Sequence, residues 1–156
     1  MSAQLAGSSM EKRMPAEISI LLVDDNAVQA ATRQIILRRA GFCVFAALNP
    51  ERALVQLRGG DFHSEIQLVI TDHIMPGMSG TEFVRQIRET DTHLPVLVIS
   101  GMEEAQEEYA GLHVDFLLKP LPPEKLIESA HRLTAKNGPD QCHTLKSETL
   151  SVHAER

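Results

Sequence analysis

The stretch LVITDHIMPGMSG, residues 68–80, decides the fold. Its first four residues, Leu68 to Thr71, are apolar or β-branched and read as a buried strand. The run then ends abruptly in a carboxylate, Asp72, and a loop with Pro76, Gly77 and Gly80 follows. A charge left unpaired in a dry core is costly. Such an aspartate finds a partner, shifts its pKa or sits at a mouth open to water.

Runs of the same kind recur along the chain: ISILLV (18–23), FCVFAAL (42–48), IQLVIT (66–71), LPVLVIS (94–100) and VDFLL (114–118). They are near-continuous rather than alternating, the pattern of strands covered on both faces. Helix patterns lie between them. Residues 26–40 carry Ala27, Ala30 and Leu37 on one side and stop at Gly41. Asn49-Pro50 is a cap followed by proline at the first helical position, opening a helix to about Leu57. Ser79-Gly80-Thr81-Glu82 reads as a capping box and opens a helix to about Thr90. A short acidic helix is expected over 102–110. A last one starts at Pro122-Pro123-Glu124, with Leu126, Ile127, Ala130 and Leu133 as its apolar stripe.

Strand and helix thus alternate five times, which implies an α/β fold with a parallel sheet and right-handed crossovers. Length and strand count favour a doubly wound, flavodoxin-like, five-stranded parallel sheet of order 2-1-3-4-5. Five strands are too few for an eight-stranded barrel. Residues 1–16 and about 136–156 are polar and aperiodic and are expected as flexible tails, leaving 17–135 as one domain.

Bulk properties narrow the function. The 156 residues are 43% hydrophobic, enough for a proper core, and no run approaches the roughly 18 apolar residues of a membrane span. No signal-peptide pattern opens the chain, so a cytoplasmic protein is expected. The formal charge of −6 argues against a general nucleic-acid surface. Cys43 and Cys142 lie far apart and make no disulfide framework; Cys43 reads as a small core residue.

In a doubly wound sheet all strands point one way and ligands sit beyond their carboxyl ends. The first run ends in Asp24-Asp25, the third in Asp72, the fourth in Ser100-Gly101 and the fifth in Lys119-Pro120. The second ends blandly at Leu48-Asn49, as suits an outer strand. Three acids together repel one another unless a cation sits among them. Hard oxygen donors with open positions suit Mg²⁺, which shares its shell with waters and a phosphate. A carboxylate can also be a nucleophile that forms an aspartyl-phosphate, with the metal and a lysine neutralising the transferred group. Any one aspartate after a strand is ordinarily a turn or helix cap, and Lys119 alone could be a surface lysine. Four strand ends with fitting chemistry, on ends expected to be neighbours, favour the site.

VDDN (23–26), VITDHIMPGMSG (69–80), VISG (98–101) and FLLKP (116–120) together resemble the receiver domain of two-component response regulators, of the chemotaxis-regulator kind. The resemblance covers roughly 18–135. It implies that Asp72 is the phosphoacceptor of a phosphorelay, taking its phosphoryl group from a sensor histidine kinase or a histidine phosphotransfer protein. It implies that Asp25, Asp72 and the backbone carbonyl of Ile74 bind Mg²⁺, with Asp24 helping through water. Lys119 would contact the phosphoryl group, Ser100 would move to hydrogen-bond it, and Phe116 would take the place of the aromatic that swings inward. It also implies a cis Lys119–Pro120 bond. The segment between Ser100 and Phe116 departs from the family: it is about one helical turn short, and Gly111 falls one place early. Its helix is therefore expected to be the least stable of the five. Its face, with the last strand and last helix, is the expected docking surface for a partner or a second copy.

Other candidates are set aside. His73 is expected to point away from the site. Met75, Met78 and Met102 suit packing or loop contacts, since thioethers do not suit Mg²⁺. Glu103, Glu104, Glu107 and Glu108 read as a solvated helix face, and His143 and His153 carry no signal. A haloacid-dehalogenase-type phosphatase needs an acid two residues after its nucleophile, where this chain has Ile74. A flavin or nucleotide binder would need a Gly/Ser/Thr-rich loop where Asp24-Asp25 stands. The leading expectation is a phosphorylation-dependent switch rather than an enzyme. Its output would run through protein contacts, since no DNA-binding helix-turn-helix follows. It is either a stand-alone receiver or one cut from a longer chain.

Overall fold

The computed structural model describes residues 17–135. The two expected tails, with Cys142, His143 and His153, lie outside the described residues. Five strands run in chain order: β1 (Ser19–Val23), β2 (Cys43–Ala47), β3 (Ile66–Asp72), β4 (Val96–Ser100) and β5 (Asp115–Leu118). They form one parallel sheet of order β2-β1-β3-β4-β5, as the alternation requires. Four α-helices connect and close it: α1 (Ala27–Arg39), α2 (Pro50–Gly59), α3 (Gly80–Thr90) and α4 (Pro123–Ala135).

Alternate residues of each inner strand go to opposite layers, and both layers are apolar. Leu21, Val23, Val69 and Val98 pack with Phe83, Val84, Ile87 and Leu54 from α2 and α3. Ile20, Leu22, Leu68, Ile70 and Leu97 pack with Leu37 of α1 and Leu126, Ala130 and Leu133 of α4. This is why the strand sequences are near-continuous rather than alternating. Burying one large aliphatic side chain contributes about 1.5–3 kcal/mol, so the inner strands dominate the core.

The helix starts follow their caps. The Asn26 side chain accepts from Val28 and Gln29 N–H, that of Asn49 from Arg52 N–H, and Ser79 Oγ from Glu82 N–H. Each satisfies an amide that has no partner within its helix. Gly41 follows α1 at φ 102°, a conformation that excludes most side chains. Ala27 stands exposed at the first turn of α1 rather than on the buried stripe, and Cys43 is only half-buried because β2 is an edge strand. The Lys119–Pro120 bond is cis. At the amino-terminal edge of the sheet one side chain holds several loops. The Arg88 guanidinium donates to the carbonyls of Leu94 and Leu112 at 2.8 Å and of Asp91 and His113 at 3.1 Å.

The segment expected as a fourth α-helix over 102–110 is instead a 3₁₀ helix, Glu103–Tyr109. Two causes fit. An α-helix would set Glu103 over Glu107 and Glu104 over Glu108, and like charges at that spacing destabilise. The connection is also short, and a 3₁₀ helix rises about 2.0 Å per residue against 1.5 Å, so seven residues reach about 14 Å rather than about 10 Å. Only Ala105 and Tyr109 of this helix are buried, and no side chain caps its start. Amides 103–109 are therefore expected to exchange with solvent faster than those of α1. Hydrogen exchange read by mass spectrometry or NMR checks this, and equal protection would refute it.

Candidate functional site

Register brings the acids together. Val23 of β1 pairs with Thr71 of β3, so Asp24 and Asp72, each one residue further, reach the carboxyl edge side by side. Asp24 is fixed by its own turn: its Oδ1 accepts from Asn26 N–H at 2.9 Å, and its N–H donates to Ala47 O at 3.1 Å. One carboxylate oxygen from each of Asp24, Asp25 and Asp72 lies within 4.8 Å of the others. Asp24 and Asp72 are buried while Asp25 is exposed.

The acids fit a hard divalent ion. All three donors are carboxylate oxygens, and ligands on opposite sides of Mg²⁺ stand about 4.2 Å apart at its usual bond length, so a small closing of the cluster suffices. The Ile74 side chain is exposed, turned away from the protein interior.

Two cations face the pair. Lys119 Nζ lies 3.4 Å from Asp72 Oδ1 and 3.5 Å from Oδ2. The second is Arg33 of α1. Its Nη1 donates to Asp24 Oδ2 at 2.7 Å and to Asp72 Oδ1 at 3.2 Å. Two like charges about 4 Å apart near a protein surface repel by about 4 kcal/mol, so the pair needs such a partner. Arg33 does not fully offset burial: desolvation, with Asp72 close by, pushes the Asp24 carboxyl up to about 6. Sequence reasoning missed Arg33. The signal was its place three residues after Ala30 and four before Leu37, a charge inside the buried stripe of α1.

Ser100 and Phe116 stand on β4 and β5, and neither side chain is hydrogen-bonded to Asp72. The Ser100 hydroxyl accepts from Met102 N–H at 2.9 Å and donates to Met102 O at 3.3 Å, so it faces the start of the 3₁₀ helix. The Phe116 ring packs on Tyr109, centroids 6.1 Å apart. Met75 and Met78 pack in the α2–α3 layer, as expected, and Met102 is partly exposed.

The His73 side chain does not reach Asp72's partners. It is buried, and its Nδ1 shares a 2.7 Å hydrogen bond with the Tyr109 hydroxyl. Burial pushes that phenol up to about 12, so it stays protonated. Thr81 Oγ1 donates to Glu108 Oε2 at 3.1 Å, and Glu108 Oε1 lies 3.8 Å from His73 Nε2. Glu108 is thus more than part of a solvated face: with Tyr109 it ties the 3₁₀ helix to the loop after Asp72. No motif marks these four residues, and only the shared position of His73 and Thr81 around the loop hinted at them.

The comparisons with known proteins agree with this geometry. The family model for the response regulator receiver domain matches residues 20–131. This chain belongs to that family, the receiver domains of two-component systems, which are phosphoacceptor switches rather than conventional enzymes. The two-component response regulator ORR6 of rice is 32% identical over 126 residues, which cover 76% of this chain and 72% of that protein. The C4-dicarboxylate transport transcriptional regulatory protein DctD of Pseudomonas aeruginosa is 36% identical over 75% of this chain, but over only 25% of its own length. The uncharacterized transcriptional regulatory protein YkoG of Bacillus subtilis is 29% identical, and the match spans 52% of it. This chain thus spans about a quarter of the length of the one and about half of the other. A receiver protein from Pseudomonas putida superposes with a TM-score of 0.69 at 33% identity, covering 76% of this chain and 99% of that one. The chemotaxis protein CheY4 of Vibrio cholerae gives 0.68 at 26% identity, with the same coverage. Receiver domains bind Mg²⁺ and interact with histidine kinases or phosphotransfer proteins. No helix among the described residues is long and apolar enough to cross a membrane.

The loop after Asp72 closes on a glycine. Gly80 N–H donates to His73 O at 2.8 Å. A Cβ added at Gly80 would lie 2.6 Å from the Tyr109 hydroxyl, 2.7 Å from Asp72 O and 2.9 Å from His73 Cα. Two of those atoms are backbone and cannot step aside. Gly80→Ala, which helix propensity alone would favour, is expected to destabilise by about 1–3 kcal/mol. Urea unfolding measures it, and an unchanged or raised stability would contradict the packing.

Proposed function

We propose that this receiver domain is switched by phosphorylation of Asp72, with Mg²⁺ held by Asp25, Asp72 and the Ile74 carbonyl, and by Asp24 through water. The observation that carries the reading is the convergence of three carboxylates with Lys119 Nζ 3.4 Å from Asp72. An Asp72 oxygen attacks the phosphorus of a phosphohistidine on a sensor kinase or histidine phosphotransfer protein. The P–N bond breaks and the imidazole leaves with its electron pair. Lys119 is within reach of the developing negative charge, and Mg²⁺ when bound supplies further neutralisation. Burial of Asp72 keeps competing water away from the acyl-phosphate.

Labelling with acetyl phosphate tests this. The wild-type protein is expected to gain one phosphoryl group in the presence of Mg²⁺ and little without it. Asp72→Asn, nearly isosteric but without the nucleophilic oxygen, should gain none. Labelling of the Asn variant at wild-type extent, seen by intact mass, would sink the assignment.

Ser100 and Phe116 carry the signal outward. When Ser100 turns to the phosphoryl group, Met102 N–H loses its acceptor and the 3₁₀ helix loses its anchor at the amino end. Phe116 moving inward disturbs its contact with Tyr109. The face made by the 3₁₀ helix, β5 and α4 is then the surface that meets a downstream protein or a second copy, an order–disorder switch. Beryllofluoride, a phosphoryl mimic, is expected to change exchange at amides 102–110 more than in α1. No change there would refute this route.

A further inference from the structure

Arg33 stands where a metal's charge would act. Its Nη1 binds one oxygen each of Asp24 and Asp72, two of the three acids whose oxygens form the cluster. Its side chain is about nine-tenths buried, so this is a seated group and not a passing surface contact. A guanidinium cannot lose its proton at any working pH. A divalent ion drawn to the same carboxylates meets this fixed like charge 2.7 Å and 3.2 Å from two of them, and Arg33 relieves the repulsion only by moving, since it cannot neutralise.

The structure offers it somewhere to go. A groove of about 270 Å³ lies between α1 and the start of α4, lined in part by Gln29, Thr32, Arg33, Ile36 and Leu126. Gln29 sits one turn before Arg33 on the same helix face. Its side-chain oxygen is buried and has no hydrogen-bond partner among the described residues. Such an orphan acceptor is unusual in a native interior. A guanidinium swung off the acids and into the groove would supply the missing donor, while its methylene stem would lie on Ile36 and Leu126.

We propose that Arg33 is a built-in counter-ion with two seats, one on Asp24 and Asp72 in the metal-free protein and one in the α1–α4 groove against Gln29 when a divalent cation binds. The metal site is then occupied in turn by the protein's own cation and by the ion. Arg33 lowers the apparent affinity for the ion, and Gln29 partly restores it by stabilising the outward seat. This deepens the Mg²⁺ reading given above and rests on it.

Calorimetric titration of the purified chain with MgCl₂ tests the proposal, with amide chemical shifts as an independent readout. Arg33→Met keeps the apolar stem and removes the competitor. It is expected to bind Mg²⁺ about tenfold more tightly, the order expected when one competing charge leaves a partly wet site. Gln29→Leu removes the outward acceptor and leaves the acids untouched. It is expected to bind about threefold more weakly, the order of one net hydrogen bond. A merely structural arginine would not give shifts of opposite sign. Should Arg33→Met not fold, Arg33→Lys serves: the shorter-reaching, single-headed cation should loosen its hold on the acids and tighten Mg²⁺ binding. Affinity that is unchanged or weaker on replacing Arg33 overturns the two-seat proposal. If neither wild type nor variant binds Mg²⁺, the metal reading itself is overturned.

Discussion

Two buried carboxylates stand side by side in ionised form only with positive charge beside them, and the carboxyl edge of this sheet is organised around that constraint. Parallel register sets Asp24 beside Asp72, and no rotamer change can separate residues that continue adjacent strands. Cations must come from elsewhere in the chain. Lys119 arrives from the end of β5 and Arg33 from the middle of α1, so the sheet and one of its covering layers both take part in neutralising the pair. The mouth is consequently polar without being loose. Asp24 also caps its own turn, and its raised pKa marks how far burial outweighs the arginine.

Much of this was legible in the sequence, for identifiable reasons. Strands covered on both faces must be apolar throughout, so the runs ending at Val23, Thr71, Ser100 and Leu118 stand out, and chain order then fixes which ends are neighbours. Caps are legible because they are local: Asn26, Asn49 and Ser79 each act on amides two or three residues away. What stayed hidden depends on distance in space rather than in sequence. Arg33 reads as an ordinary helix cation until α1 is laid on the sheet. The bond between His73 and Tyr109 spans 36 positions and follows no spacing rule. The 3₁₀ geometry of Glu103–Tyr109 depends on the span that the short connection must cover, which no local propensity encodes.

The side chains behind the phosphoacceptor strand form a second polar system, distinct from the acids. Asp72 and His73 are consecutive yet face different partners: one carboxylate meets two cations, and the neighbouring imidazole meets a phenol on the 3₁₀ helix. A strand places consecutive residues on opposite faces, so one peptide unit links the chemistry of the mouth to the segment that the reading above makes responsive. Gly80 presses this loop against Tyr109 and leaves little slack between them.

At the opposite edge, Arg88 holds four carbonyls from the connections that lead into β4 and β5. At their far ends Lys119 N–H donates to Ser100 O at 2.8 Å, and among the described residues no side chain there gathers several loops as Arg88 does. The β4–β5 half of the sheet thus resembles a ruler pressed to a table at one end. On the switching route proposed above, a push delivered at the lightly held end would bend it more than the clamped end, so motion would grow along the strands toward the mouth. Phe116, on β5 between the two ends, would lie on that gradient, its travel limited by how far it stands from the clamp.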